Sequence, residues 1–154
     1  MALWIEHKPD ALFVDEGGTG SGVVDTLAHR GIPVIGVKFG GRANARDKYS
    51  NKRAEMYELL NQWLGHPRAT FPKDTWAQEA LREELGLIEY KIKEVDGTTE
   101  LAPKSKIKKE AGISPDVADV AAMLFAEPVA LPNRYDDMPQ GQTLYCGGVD
   151  DDWM

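Results

Sequence analysis

The chain has 154 residues, a net charge of −7, a 42% hydrophobic content and one cysteine, Cys146. That length fits one domain, which on folding hides roughly 70% of the surface its unfolded chain exposes. No apolar run approaches the ~20 residues needed to span a bilayer, the N-terminus lacks a signal-peptide pattern, and a lone cysteine excludes an internal disulfide or a multi-cysteine metal site. The chain reads as a soluble cytoplasmic protein.

In chain order, Ala2 to His7 reads as the end of a helix, broken by Lys8-Pro9-Asp10. Ala11 to Val14 reads as a buried strand that stops at an acid, Asp15, and runs into glycines at 17, 18, 20 and 22. Val23 to His29 reads as a helix with Gly31 as its stop signal, and Ile32 to Phe39 as a second strand. Strand, helix, strand at this spacing predicts a parallel pair joined by a crossover helix. A helix begins near Ser50, with its apolar stripe on Met56, Leu59, Leu60, Trp63 and Leu64, and ends at Gly65-His66-Pro67. Thr75 to Gln78 resembles a capping box that opens a short helix to Leu85. Leu87 to Val95 and Thr98 to Leu101 flank Asp96-Gly97, a strong hairpin signal. In the last helix Ser114 suits the N-cap, Pro115 the first helical position and Asp116 the positive end of the dipole; it runs to about Ala126. Residues 131–154 read as an acidic, largely irregular tail behind a body of residues 1–130.

Charge is unevenly spread. From Glu127 to Met154 there are six acids against one base, Arg134, so the tail holds most of the negative excess. Lys38, Arg42, Arg46, Lys48, Lys52 and Arg53 form one basic cluster, and Lys104, Lys106, Lys108 and Lys109 a second. An acidic total therefore does not exclude a polyanionic partner, although a solvated face explains each cluster equally well.

Two readings compete for the glycine cluster. Gly18 to Gly22, after a strand and before a helix, is placed to turn N–H groups on a phosphate. Neither Gly-Lys-Ser/Thr nor a full G-x-G-x-x-G follows, so a tight turn that lets the strand pass close to the helix is the stronger reading. The acids give the other chemistry. Asp15 closes a buried strand, and Asp116 and Asp119 share one helix face, opposite Val117, Val120, Ala121 and Leu124. Three carboxylates at one sheet edge repel each other unless a divalent, oxygen-seeking cation joins them. Beside basic clusters, that set points to metal-assisted phosphodiester hydrolysis. Taken singly, Asp116 is a capping residue and Asp15 the start of a turn. His7, His29 and His66 lack zinc-type spacing and read as surface residues; Cys146 has no assigned role.

One resemblance draws these pieces together. Its residues are Asp15–Asp25 (DEGGTGSGVVD), Val34 to Phe39, Tyr49–Tyr57 (YSNKRAEMY), Leu101–Lys106 (LAPKSK), Gly112–Val120 (GISPDVADV) and Phe125–Val129 (FAEPV). In order and spacing they resemble the nuclease domain of the phage terminase large subunit, across roughly residues 1–130. The resemblance implies a truncated ribonuclease-H-like α/β fold: a parallel strand pair with a crossover helix, a β-hairpin and flanking helices. It implies a metal-dependent endonuclease that cuts concatemeric viral DNA with two Mg²⁺ or Mn²⁺ ions as genomes are packaged. Asp15 and Asp119, helped by Asp116, are then the catalytic and metal-binding acids, and Asp119→Asn is expected to abolish activity with little loss of folding. Lys38, Arg42, Lys104, Lys106, Lys108 and Lys109 line the path of double-stranded DNA by phosphate contact.

The family's first catalytic Asp lies on a strand upstream of anything here, and its ATPase half has no counterpart, so the chain is expected to be the back part of a nuclease domain in the bacterial host cytoplasm. The alternative is a catalytically incomplete prophage remnant or split-gene fragment that binds DNA or a packaging partner: the missing terminase half, the small terminase subunit or the portal. A resolvase-type nuclease would share the fold; the stretches Asn51–Tyr57 and Lys104–Asp119 favour the terminase reading.

Overall fold

The computed structural model describes residues 2–70 and 76–129, so the predicted tail, Cys146 and the capping residue Thr75 lie outside the described residues. The elements run α1 (Ala2–His7), β1 (Phe13–Asp15), α2 (Gly20–His29), β2 (Ile35–Val37), α3 (Lys52–Leu64), α4 (Trp76–Leu85), β3 (Tyr90–Ile92), β4 (Thr99–Leu101), α5 (Lys104–Ala111) and α6 (Asp116–Met123).

β1 and β2 pair in parallel with α2 between them, in the register Phe13↔Ile35, Val14↔Gly36 and Asp15↔Val37. Both strands are shorter than expected. Pro33 has no N–H to give a ladder, so β2 starts two residues beyond it. β1 includes Asp15, whose neighbour Glu16 still donates its N–H to the Val37 carbonyl at 2.9 Å. Helix α2 begins inside the glycine cluster, three residues before the predicted start. Its predicted stop holds: Gly31 takes φ +73° and its N–H bonds the Ala28 carbonyl at 2.9 Å.

The hairpin β3–β4 is antiparallel as predicted, but its turn is longer than the two-residue type. Lys93 donates to Thr98 across the turn, Gly97 takes φ +70°, and the Asp96 carboxylate accepts from both the N–H and the hydroxyl of Thr98. The hairpin is stitched to the approach to α3 by Thr99 N–H to the Lys48 carbonyl (2.7 Å) and Ser50 N–H to the Thr99 carbonyl (2.9 Å).

Helix α3 is the centre of the molecule. The Asn51 side chain caps it by accepting the Ala54 N–H at 3.0 Å. Met56 and Leu60 of the predicted stripe are buried; Leu59, Trp63 and Leu64 are only half-buried. The first two turns are enclosed on every side, so Lys52, Arg53 and Glu55 are buried as well. Their charges are matched inside. Glu55 pairs with Lys52 at 2.9 Å and accepts the N–H groups of Asn44 and Ala45 at 3.0 and 2.8 Å. Burial alone would raise the Glu55 pKa, but those donors outweigh it and hold the carboxyl below its usual range. The loop from Phe39 to Ala45 is thereby fixed over the start of α3, where Phe39 and Gly41 carbonyls also accept the Arg53 and Lys52 N–H groups.

The last helix differs most from expectation. It starts at Asp116 with Pro115 at the cap, and Ser114 instead hydrogen-bonds the Asp116 carboxylate at 2.7 Å. It ends at Met123. Its buried face is only partly the predicted one: Val117 and Ala121 pack against the core, but Ala118, Ala122 and Asp119 are the residues turned fully inward, while Val120 and Leu124 are exposed. The reason is closeness. α6 packs on both α3 and α4, and alanines at 118 and 122, both fully buried, let the backbones approach where Val or Leu would not fit. The N-terminus of α6 is capped from outside, by buried Glu84 of α4, which accepts the Ala118 N–H at 2.7 Å. Glu84→Ala strands that N–H without a partner. It should lower unfolding free energy by about 1.5–3 kcal/mol, read as a lower midpoint in urea at unchanged slope.

Candidate functional site

The parallel strands deliver Asp15 to the rim of an open cleft of about 460 Å³, also lined by Gly17, Lys38, Gly40, Arg53 and Lys104. Asp15 is exposed there, and its carboxylate accepts the Gly17 N–H at 2.8 Å in a local turn. Lys38 is exposed and pairs with Glu16 at 3.3 Å. It lines both this cleft and a neighbouring cavity of about 220 Å³ that holds Arg42, so those two bases lie along adjoining hollows.

The other two acids join the cleft through its bases. Lys104, the first residue of α5, forms an ion pair with Asp119 Oδ2 and stands 3.7 Å from Asp116 Oδ1. Its ammonium also lies 5.7 Å from the centre of the Phe39 ring. Asp116 is exposed, whereas Asp119 is only 5% exposed. A buried carboxylate needs partners, and Asp119 has three: Lys104, the Tyr57 hydroxyl at 2.6 Å from Oδ1, and Arg53 Nε at 3.5 Å from the same oxygen. Arg53 is anchored by donating from Nη1 to the Ala102 carbonyl at 2.9 Å, and its guanidinium lies 5.1 Å from the Tyr57 ring centre. Burial, then the Asp119 charge, push the Tyr57 pKa well up, so the hydroxyl stays a donor at any working pH.

The structure thus brings Asp116 and Asp119 together at Lys104, and places Asp15 on the same cleft through Arg53 and Lys104. It divides the predicted bases. Lys38, Arg42 and Lys104 belong to the cleft and its neighbour. Lys106 lines a separate pocket of about 150 Å³, held by Glu89 at 2.6 Å and by Glu110 at 3.9 Å. The hydrogen bond that Lys106 donates to the Glu89 carboxylate raises the Lys106 pKa and lowers that of Glu89. Lys108 and Lys109 are exposed in the last turn of α5, at its negative end.

Sequence reasoning missed Arg53 and Tyr57 as site residues. The signal was present: they are four apart on α3, hence on one face, within the stretch YSNKRAEMY. Their partner, 62 positions after Tyr57, was not legible.

Carboxylate oxygens beside an open cleft suit hard divalent cations. Among the described residues no three acid, histidine or cysteine side chains gather closely enough to cage one. The set does fit an ion of the Mg²⁺ type, which takes one or two carboxylates and completes its shell with water and phosphate oxygens. Asp119 Oδ2 is the atom that carries the fit: it is buried, it lacks an aligned hydrogen bond, and it already attracts a cation, Lys104.

The parallel pair crossed by a helix, the antiparallel pair and the flanking helices make the mixed α/β arrangement of a ribonuclease-H-like fold, the fold of the nuclease domains that the chain resembles. No protein-family model and no curated protein sequence matches the chain. Solved structures do. The nuclease domain of the large terminase subunit gp2 of bacterial virus Sf6 superposes with a TM-score of 0.65 at 25% identity, over 84% of this chain and 70% of that one. A point mutant of that domain determined with manganese gives 0.62 at 25% identity, over 82% and 70%. A point mutant determined with calcium gives 0.64 at 25% identity, over 82% and 69%. The resemblance to a phage terminase nuclease domain read from the sequence therefore holds in three dimensions.

Proposed function

We propose that this chain is the metal-dependent DNA endonuclease part of a phage terminase large subunit, which cuts concatemeric DNA during genome packaging in the bacterial host cytoplasm. The observation that carries the reading is the cleft itself, with Asp15 on its rim and Asp119 tied to its bases, in a fold similar to a terminase nuclease domain. Asp15 and Asp119, with Asp116 in support, hold Mg²⁺ or Mn²⁺. Two such ions, when bound, activate water and stabilise the leaving oxygen of an in-line displacement. Lys38, Arg42 and Lys104 contact DNA phosphates along the cleft, with Lys108 and Lys109 beyond it. Lys106 contributes least, because two carboxylates already hold its charge. No helix of the described residues is long and apolar enough to cross a membrane.

The test is incubation of the chain with supercoiled plasmid and Mn²⁺ beside its Asp15→Asn variant, with DNA affinity measured across salt concentrations. The parent should nick and the variant should not. Each of Lys38→Ala and Arg42→Ala should flatten the slope of log affinity against log salt by about 0.9. Equal nicking by both proteins would remove Asp15 from the site. A second reading, DNA or packaging-partner binding without cleavage, draws support from the absence of a three-acid cluster among the described residues. Its partners would be the other terminase half, the small subunit or the portal. Salt-sensitive binding with no nicking by the parent would decide for it.

A further inference from the structure

A carboxylate that serves a metal is only as good as the groups that aim it, because a misdirected or rotating oxygen loses affinity. The two oxygens of Asp119 are engaged differently: Oδ1 by buried groups of α3, Oδ2 by the half-exposed Lys104 at the cleft. Oδ1 accepts the Tyr57 hydroxyl at 2.6 Å and faces Arg53 Nε at 3.5 Å, while Oδ2 is turned to Lys104. Tyr57 and Arg53 are themselves fixed. Both are buried on α3, their side chains lie against each other, and Arg53 is tied to the Ala102 carbonyl that follows β4. Arg53 Nε, which meets Oδ1 as an ion pair, and Nη2 are both buried with no hydrogen-bond partner among the described residues, so the guanidinium keeps this pose at some cost in unmade bonds.

We propose that Tyr57 and Arg53 are positioning residues that engage Asp119 Oδ1 and so reserve Oδ2 as the single ligand atom Asp119 offers a divalent cation. The proposal rests on the metal-dependent reading above. It gives the buried tyrosine hydroxyl a task beyond filling space: phenylalanine would fill the same space and lie under the same guanidinium, but would take from Oδ1 its one hydrogen bond and leave it only the longer Arg53 contact. It also gives α3 a part in the site, although the predicted acids lie on β1 and α6.

The experiment is Mn²⁺ binding to the full chain, followed by the loss of the free-ion electron paramagnetic resonance signal, for the parent, Tyr57→Phe, Arg53→Lys and Asp119→Asn. Thermal unfolding without metal confirms that each is folded. Tyr57→Phe should weaken Mn²⁺ binding by about ten- to a hundredfold, the range for groups that orient a metal ligand. Arg53→Lys, which keeps the charge but not the fork, should weaken it by a smaller factor, and it carries the test alone if Tyr57→Phe does not fold. Asp119→Asn should remove the binding it supports. Parent-like binding by Tyr57→Phe and Arg53→Lys, with Asp119→Asn impaired, would overturn the positioning role and leave the functional reading standing. A parent that binds no Mn²⁺, or an Asp119→Asn chain that binds like the parent, would bring down the functional reading and this proposal with it.

Discussion

Asp119→Asn should lower Mn²⁺-dependent nicking by more than about a hundredfold, since removal of groups that merely stand behind a metal ligand already costs ten- to a hundredfold in affinity or activity. The amide keeps the size of the carboxylate and one acceptor oxygen, so the Tyr57 hydrogen bond is preserved. What disappears is the charge. Arg53, with a side chain only 11% exposed, then faces a neutral group, and so does Lys104. Lys104 is 41% exposed and relaxes into the cleft, but Arg53 is held in place by the Ala102 carbonyl. Removing one partner of a buried ion pair costs about 3–5 kcal/mol, and relief at Lys104 brings the expected loss to the lower end, about 3 kcal/mol. The sequence alone led to the opposite expectation, of little loss in folding, because it put Asp119 on the helix face opposite the apolar residues, whereas the structure buries it among charged partners. Two measurements separate the effects: urea unfolding without metal gives the stability loss, and nicking at a temperature where circular dichroism shows the variant folded gives the loss of chemistry. Nicking within tenfold of the parent under those conditions would remove Asp119 from the site.

The same residue shows what a sequence can and cannot disclose. The parallel pair was legible because Phe-Val and Ile-Gly-Val lie between glycines and a proline, all local signals. The α3 stripe was legible because Met56 and Leu60 recur at helical spacing. Helix α5 was not, since Ile107 is its one buried residue and four lysines in eight positions read as a charged patch. Its best marker is the stop, Gly112 at φ +71°. On α6 the periodicity argument was half right. It took Val117, Val120, Ala121 and Leu124 as the apolar face; Val117 and Ala121 do pack on the core, but the closeness of α6 to its neighbours put Ala118 and Ala122 at the centre of the contact and left Val120 and Leu124 outside. The site acids were found by type and position along the chain; their partners Arg53 and Tyr57 were not, because a contact between α3 and α6 is a property of the tertiary fold. Local chemistry announces which residues are costly to bury, whereas packing decides which groups relieve that cost.

The glycine cluster after β1 yields the second large effect. Gly20 opens α2 directly against the end of the strand, and a Cβ there would fall inside the contact distance of the Asp15 backbone carbonyl. Backbone cannot swing aside as a side chain does, so Gly20→Ala must move either the helix start or Asp15 itself. Overpacking of this kind costs about 1–3 kcal/mol, and the upper end applies where the obstacle is main chain. Gly22 stands two residues further into the same helix with nothing within 4 Å of its Cβ position. Gly22→Ala should therefore stabilise by about 0.5–1 kcal/mol through helix propensity alone. Opposite signs from two neighbouring glycines, measured by thermal or urea unfolding, are the expected result. They bear on the two readings of the cluster. The Gly17 N–H is already bonded to the Asp15 carboxylate and the Gly20 N–H to the Gly17 carbonyl, so these donors serve the turn. Its role is then to bring a helix hard against the strand end and hold Asp15 at the cleft. On that account Gly20→Ala should also reduce nicking beyond its effect on stability, while Gly22→Ala leaves it intact. A Gly20→Ala chain as stable and as active as the parent would show that the close approach of α2 to Asp15 is not needed.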